Sequence, residues 1–303
     1  VRSTQNDSNT FKKTAYLVKA KGFIALTKPR IIELLLVTTL PAMFLAAKGV
    51  PKITEIISTL IGGTLAAGGA NTLNMVIDAD IDKVMSRTKN RPLVTGVINK
   101  NEAIIFAILL EVIAFLTLYS FDNLLSAILA ESAMAFYVLI YTMWLKRRNT
   151  QNIVIGGAAG AVPPLVGWAS VTGHVGLPAV LMALIIFLWT PPHFWALAIK
   201  YRDDYTRARV PMMPAVKTIS HTAKNIVFYS FLVAIVTLAI FFASHLGVFY
   251  LIISTFASAL LIIYSILLMS KPIPSRAMTV FKYSIIYVVI VFGAILVSSL
   301  ITK

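Results

Sequence analysis

Apolar residues along this chain fall in long blocks rather than alternating with polar ones, and short charged or proline-bearing stretches separate the blocks. Each block holds about 18 to 25 residues; at 1.5 Å per residue in a helix, that matches a hydrocarbon core of about 30 Å. The pattern predicts nine membrane-spanning helices, at 29–48, 54–77, 102–120, 123–145, 152–172, 177–199, 225–247, 249–270 and 278–300. Strands of alternating polarity, which a membrane barrel needs, are not seen, so helices must satisfy the backbone within lipid. The expected fold class is all-α, a polytopic membrane bundle of nine transmembrane helices. Residues 1–25 read as a polar, basic N-terminal segment and residues 26–303 as one integral-membrane domain. Residues 1–22 contain no apolar run of the kind a cleavable signal peptide has.

Composition agrees, with 58% of residues hydrophobic and 13% charged. A net charge of +15 would suit nucleic acid, but its distribution argues against that partner. Of 27 Lys and Arg, 24 lie before or at the start of the first span or follow spans two, four, six and eight, counting Arg30 and Lys282 in the first turns of spans one and nine; the exceptions are Lys48, Lys52 and Lys303. Basic residues are retained in the cytoplasm, so the N-terminus and the even-numbered exits are expected there and the C-terminus on the opposite side. The expected surroundings are a lipid bilayer with an anionic inner face, as in a cell inner membrane. The chain has no Cys, which removes disulfides, thiolate metal sites and a Cys nucleophile.

The few acids are concentrated. In "NMVIDADID", residues 74 to 82, Asn74, Asp78 and Asp82 are spaced i, i+4, i+8; on a continuing helix they share a stripe about 80° wide, with Asn71 in the same arc and Asp80 outside it. Two carboxylates and an amide oxygen form a hard, oxygen-only site of the kind Mg²⁺ takes, with water and phosphate completing it. The plain alternative is a solvated helix C-terminus, although acids there oppose the dipole and repel one another. "KVMSRTKNRPL" follows with Arg87, Lys89 and Arg91, suited to bidentate contacts with a diphosphate or to anchoring on lipid head groups. After span six, "KYRDDYTRARVPMMP" sets Asp203 and Asp204 among Arg202, Arg207 and Arg209. Lys146, Arg147 and Arg148 end span four, either as further phosphate contacts or as a stop-transfer cluster. Diphosphate departure from an allylic carbon leaves a cation that water would quench, which suits a dry cavity with charge stabilisation at its rim.

The order N-M-x-x-D-x-x-x-D and then R-T-x-N-R-P-L resembles the intramembrane UbiA-type prenyltransferases. More narrowly, "SRTKNRPL", "YTMWLKRRNTQNIVIGGAAGAVPPLVGW" and "PPHFWALAIKYRDDYTRARVPMMP" are similar to the haem-farnesylating branch of that superfamily. The resemblance implies nine helices around a central cavity and a Mg²⁺-dependent transfer of farnesyl from farnesyl diphosphate to a vinyl group of haem B. Addition of water would give haem O, passed to a downstream haem-modifying enzyme. It implies Asn74, Asp78, Asp82 and Asp204 as catalytic and metal-binding residues, and Arg87, Lys89, Arg91, Lys146, Arg147, Arg202 and Arg207 as diphosphate ligands. Two positions depart from the superfamily pattern: Met75 where Asp often follows Asn, and Ala208 where a second Asp often follows Asp204 by four. A second Mg²⁺ is therefore left open, with Arg202 or Arg207 as substitutes.

His193 lies inside span six, about 10 Å from its cytoplasmic end, after Pro191-Pro192 and beside Trp189, Phe194 and Trp195. With Trp195 it is the candidate for haem contact; the other reading is a histidine bonding a carbonyl freed by the prolines. Gly156, Gly157 and Gly160 read as close helix packing with a kink at Pro163-Pro164. Glu33, Glu111 and Glu131 have no assigned role. Two rival functions share parts of this pattern: a prenyltransferase acting on a quinone precursor or a chlorophyllide, and a transporter, whose polar groups would be expected at the midplane instead.

Overall fold

The computed structural model describes residues 16–244 and 246–301, and among them nine helices are long and apolar enough to span a bilayer. Residues 1–15, most of the basic N-terminal segment, lie outside the described residues. Residues 16–27 form a helix, α1, which runs across the expected 25/26 boundary and sinks Leu26 into a cluster with Met75, Val76, Ile98 and Ala103.

The spans are α2 (Pro29–Ala47), α3 (Ile53–Ile77), α6 (Lys100–Phe121), α7 (Leu124–Ala135, continued to Arg147), α8 and α9 (Asn152–Gly160, Pro163–Thr172), α10 (Leu177–Lys200), α13 (Ile219–Ser244), α14 (Val248–Ser270) and α15 (Pro274–Ile301). Four short helices lie between them: α4 (Ala79–Val84), α5 (Pro92–Thr95), α11 (Arg202–Arg207) and α12 (Met213–Val216). Span seven starts six residues before the apolar block does. Its first turns, with Thr218 capping His221, are helical by backbone preference although too polar to lie in hydrocarbon.

Each span packs on its chain neighbour, and α15 closes the bundle by packing back on α2. Inside that ring α2 meets α9 and α10 meets α15, and α10 and α15 are the most enclosed of the spans. The outer surface carries bare Ile105, Phe242 and Phe256, as expected where lipid is the solvent. The protein is a multi-pass integral membrane protein.

Polar groups inside the bundle join helices. Tyr287 and Thr237 share a hydrogen bond of 2.7 Å, Tyr250 donates to the Thr237 carbonyl at 2.7 Å, and Ser230 meets Ser265 at 2.9 Å. These bonds tie α13, α14 and α15 where apolar burial gives no drive for helices to associate. Proline at the start of α9 splits span five as expected, and Gly156 and Gly157 sit under Tyr141 and Thr190, where a Cβ would collide. Gly160 faces open space instead.

Candidate active site

The acidic motif keeps its helical register through a break. α3 ends at Ile77, and Asp78 stands between α3 and α4 with φ −87° and ψ 6°, a sparsely populated region frequent at active sites. Yet Asp78 N–H still donates to the Asn74 carbonyl at 2.9 Å, and Asp82 N–H to the Asp78 carbonyl at 2.9 Å. Asn74, Asp78 and Asp82 therefore stay one turn apart, and all three are buried. The break also moves Asp80 and Asp82 into the first turn of α4, so the dipole penalty expected at a helix C-terminus does not apply to them.

Protein cations lie against these acids. Lys146 Nζ donates to Asp78 Oδ2 at 2.5 Å, and Asn74 Nδ2 donates to the same oxygen at 2.8 Å. Arg91 donates to Asp82 Oδ2 at 2.6 Å. Lys28, which the sequence reading passed over, reaches Asn74 Oδ1 at 2.6 Å. Its backbone is left-handed, φ 54°, directly before Pro29, an unfavourable conformation that its side-chain contact offsets. Burial, with Arg91 and Lys146 close by, holds the Lys28 ammonium well below the ordinary lysine value of 10.5. Asn74 Nδ2 also donates to Thr142 Oγ1 at 3.1 Å. Thr142 lies in a π-helical stretch, Phe136–Trp144, that continues α7 into the 3₁₀ turn carrying Lys146; rewinding of this kind recurs at functional sites.

Each carboxylate keeps an oxygen in reserve. Asp78 Oδ1 is buried with no hydrogen-bond partner, with Arg147 at 3.9 Å, and Asp82 Oδ1 makes no hydrogen bond among the described residues. Two hard oxygens on one stripe suit a single Mg²⁺ that takes its remaining ligands from water and phosphate. Among the described residues no three carboxylate or imidazole groups converge into a ready-made metal cage. Asn74 hydrogen-bonds through both ends of its amide, and Asp204 through both oxygens.

Asp204 instead fastens the second loop to the first. Ser86 donates to Asp204 Oδ2 through its backbone N–H at 3.1 Å and its hydroxyl at 2.5 Å, while Arg207 takes Oδ1. Arg87 lies over the Tyr201 ring at 5.9 Å, and burial pushes the Tyr205 hydroxyl up against the opposing pull of the Arg87 charge. Lys89 and Arg202 are exposed and make no ion pair among the described residues. Arg147 forks Asp80 with two contacts of 2.7 Å, which pushes the Asp80 carboxyl down to about 2. Asp80, Arg147, Arg207 and Arg209 line a cavity of about 470 Å³ between α4 and the end of α11. Met75 and Ala208, the positions that depart from the motif pattern, are packing residues: Met75 sits in the α1 cluster, and Ala208 borders this cavity.

His193 and Trp195, expected together, face apart. Trp195 is fully buried against Tyr229 at 5.6 Å and belongs to the core. His193 is largely buried, its ring lying between Trp189 and Phe281. Two residues along a helix is a rotation of about 200°, which accounts for the separation.

The UbiA prenyltransferase family model matches residues 35–299. A curated relative, the protoheme IX farnesyltransferase of Mycolicibacterium smegmatis, is 48% identical over 281 residues, covering 92% of this chain and 91% of that protein. Two solved structures share the fold. A digeranylgeranylglyceryl phosphate synthase superposes with a TM-score of 0.77 at 20% identity, over 93% of this chain and 98% of that one. A UbiA homologue from Archaeoglobus fulgidus bound to DMAPP and Mg²⁺ superposes with a TM-score of 0.64 at 15% identity, over 91% of this chain and 99% of that one.

Proposed function

The chain belongs to the UbiA prenyltransferase family, and we propose from that membership that it transfers farnesyl from farnesyl diphosphate to a vinyl group of haem B, with addition of water, to give haem O. Its high identity to a protoheme IX farnesyltransferase supports the choice of acceptor. The observation that carries the reading is the buried centre at the end of α3. There two carboxylates each hold a base with one oxygen and leave the other unused.

Asp78 and Asp82 fit one Mg²⁺, and charge stabilisation on the departing diphosphate is the chemistry that ion supplies. Lys28, Lys146 and Arg91 are the cations nearest those carboxylates, and phosphate oxygens would draw on them directly. The Tyr137 and Tyr141 rings stack at 5.5 Å on the π-helical stretch whose Thr142 bonds Asn74, and their π faces would stabilise an allylic cation formed there. Breaking the C1–O bond there, away from water, lets the vinyl carbon capture the cation before solvent does. His193 is the candidate for contact with the porphyrin. Asp204 supports the rim by holding Ser86.

The purified protein incubated with haem B, farnesyl diphosphate and Mg²⁺ is expected to yield haem O on mass analysis of extracted porphyrins. No farnesylated porphyrin, alongside prenylation of a quinone precursor, would overturn the acceptor assignment. We place the N-terminus and both motif loops in the cytoplasm on the bias of basic residues. Cysteines introduced singly at Lys89 and Arg209, both exposed, should then be blocked only by membrane-permeant thiol reagents. Labelling by an impermeant reagent in intact cells would reverse the orientation.

A further inference from the structure

His193 is held by more than a proline kink. Ser284 on α15 receives two side chains one turn apart on α10: Trp189 Nε1 donates to its carbonyl at 2.7 Å, and His193 Nδ1 lies 2.8 Å from its hydroxyl. The same hydroxyl lies 2.7 Å from the Phe281 carbonyl oxygen. Proton counting settles who donates. A carbonyl can only accept, and a serine hydroxyl carries one proton. If that proton went to His193, two oxygen lone pairs would face each other at hydrogen-bond distance. It therefore goes to Phe281, and Nδ1–H must donate to Ser284 Oγ.

In the neutral ring the lone pair then sits on Nε2. Trp189 covers one ring face at 4.2 Å and 18°, and Phe281 the other at 4.7 Å and 28°. Only the ring edge is left to meet a ligand, and Nε2 makes no hydrogen bond among the described residues. Donation of one ring N–H to a fixed acceptor is how metal-ligating histidines are oriented.

We infer that Ser284 is a positioning residue that fixes the Nδ1–H form of His193, so that Nε2 binds the iron of the acceptor porphyrin. The inference deepens the haem reading above and rests on it. Its test uses two probes, haem B and metal-free protoporphyrin, titrated into the parent, Ser284→Ala, Ser284→Thr and His193→Ala while the Soret band is followed.

Loss of a partner that orients a metal ligand costs about 10-fold or more in affinity. Ser284→Ala and His193→Ala should each weaken haem B binding by about that factor and shift its Soret band. Ser284→Thr, which keeps the hydroxyl, should behave as the parent does. Metal-free protoporphyrin should bind all four proteins alike, which also shows that the variants are folded. Equal weakening of both porphyrins, or haem titrating identically into the parent and Ser284→Ala, would overturn the inference while leaving the haem reading intact. Haem failing to bind the parent at all would overturn both.

Discussion

The two acidic loops look equivalent in sequence, aspartates among arginines, and the fold uses them differently. At the α3–α4 junction Asp78 and Asp82 are buried, and each leaves one oxygen unpartnered. At α11 Asp203 is exposed, and Asp204 gives one oxygen to Ser86 and the other to Arg207. Lone pairs left over inside a buried, base-lined pocket mark a place for a cation; lone pairs already spent mark a latch. An acid interleaved with arginines cannot be assigned to either class until its partners are known.

The sharpest way to break this contrast is to neutralise one acid in each loop. Asp82→Asn should lower haem O formation by about a thousandfold or more, because the metal's charge stabilisation is lost, with thermal unfolding little changed. Full turnover in that variant, or turnover undiminished by EDTA, would remove Asp82 from the metal site. Asp204→Asn should be milder, about 10-fold and mainly in KM for farnesyl diphosphate, since it loosens a loop held by charge-assisted bonds of about 1.5–3 kcal/mol. A loss in kcat equal to that of Asp82→Asn would make Asp204 a metal ligand after all.

Lys28 sharpens the comparison through pH. Its proton comes off at a pH well below 10.5, so diphosphate binding should weaken on an alkaline limb that begins before an ordinary lysine titrates. Lys28→Arg should move that limb upward, because arginine keeps its charge throughout. An identical alkaline limb in both proteins would show that another group titrates there. The smallest effect belongs to exposed Asp203, whose change to Asn should alter kcat/KM by less than about twofold.

Much of this was legible in the chain because it is local. Span number and span position depend on hydropathy and helical rise, and among the described residues the nine blocks recur as nine spans with ends shifted by up to six residues. The grouping of Asn74, Asp78 and Asp82 on one stripe depends on i, i+4 spacing, which survived the break at Asp78 because the backbone bonds across it are kept. Hydropathy did not single out α1, whose described residues 16–27 are too few to span a bilayer and bury only Gly22 and Leu26, one turn apart.

What the tertiary structure alone decided is which polar groups meet. Lys28 reaches Asn74 across 46 residues, Ser86 reaches Asp204 across 118, and His193 reaches Ser284 across 91. The two neighbours His193 and Trp195 part company because α10 turns one toward the α15 seam and the other into the core. By itself the sequence determined the membrane, the helices and the residue types at the rim, since each follows from hydropathy and spacing within one segment. Rotation and register between helices are set by packing across the whole bundle, and hydrogen bonds need donors and acceptors placed to within a few tenths of an ångström. Ligand and latch therefore became distinguishable only in three dimensions.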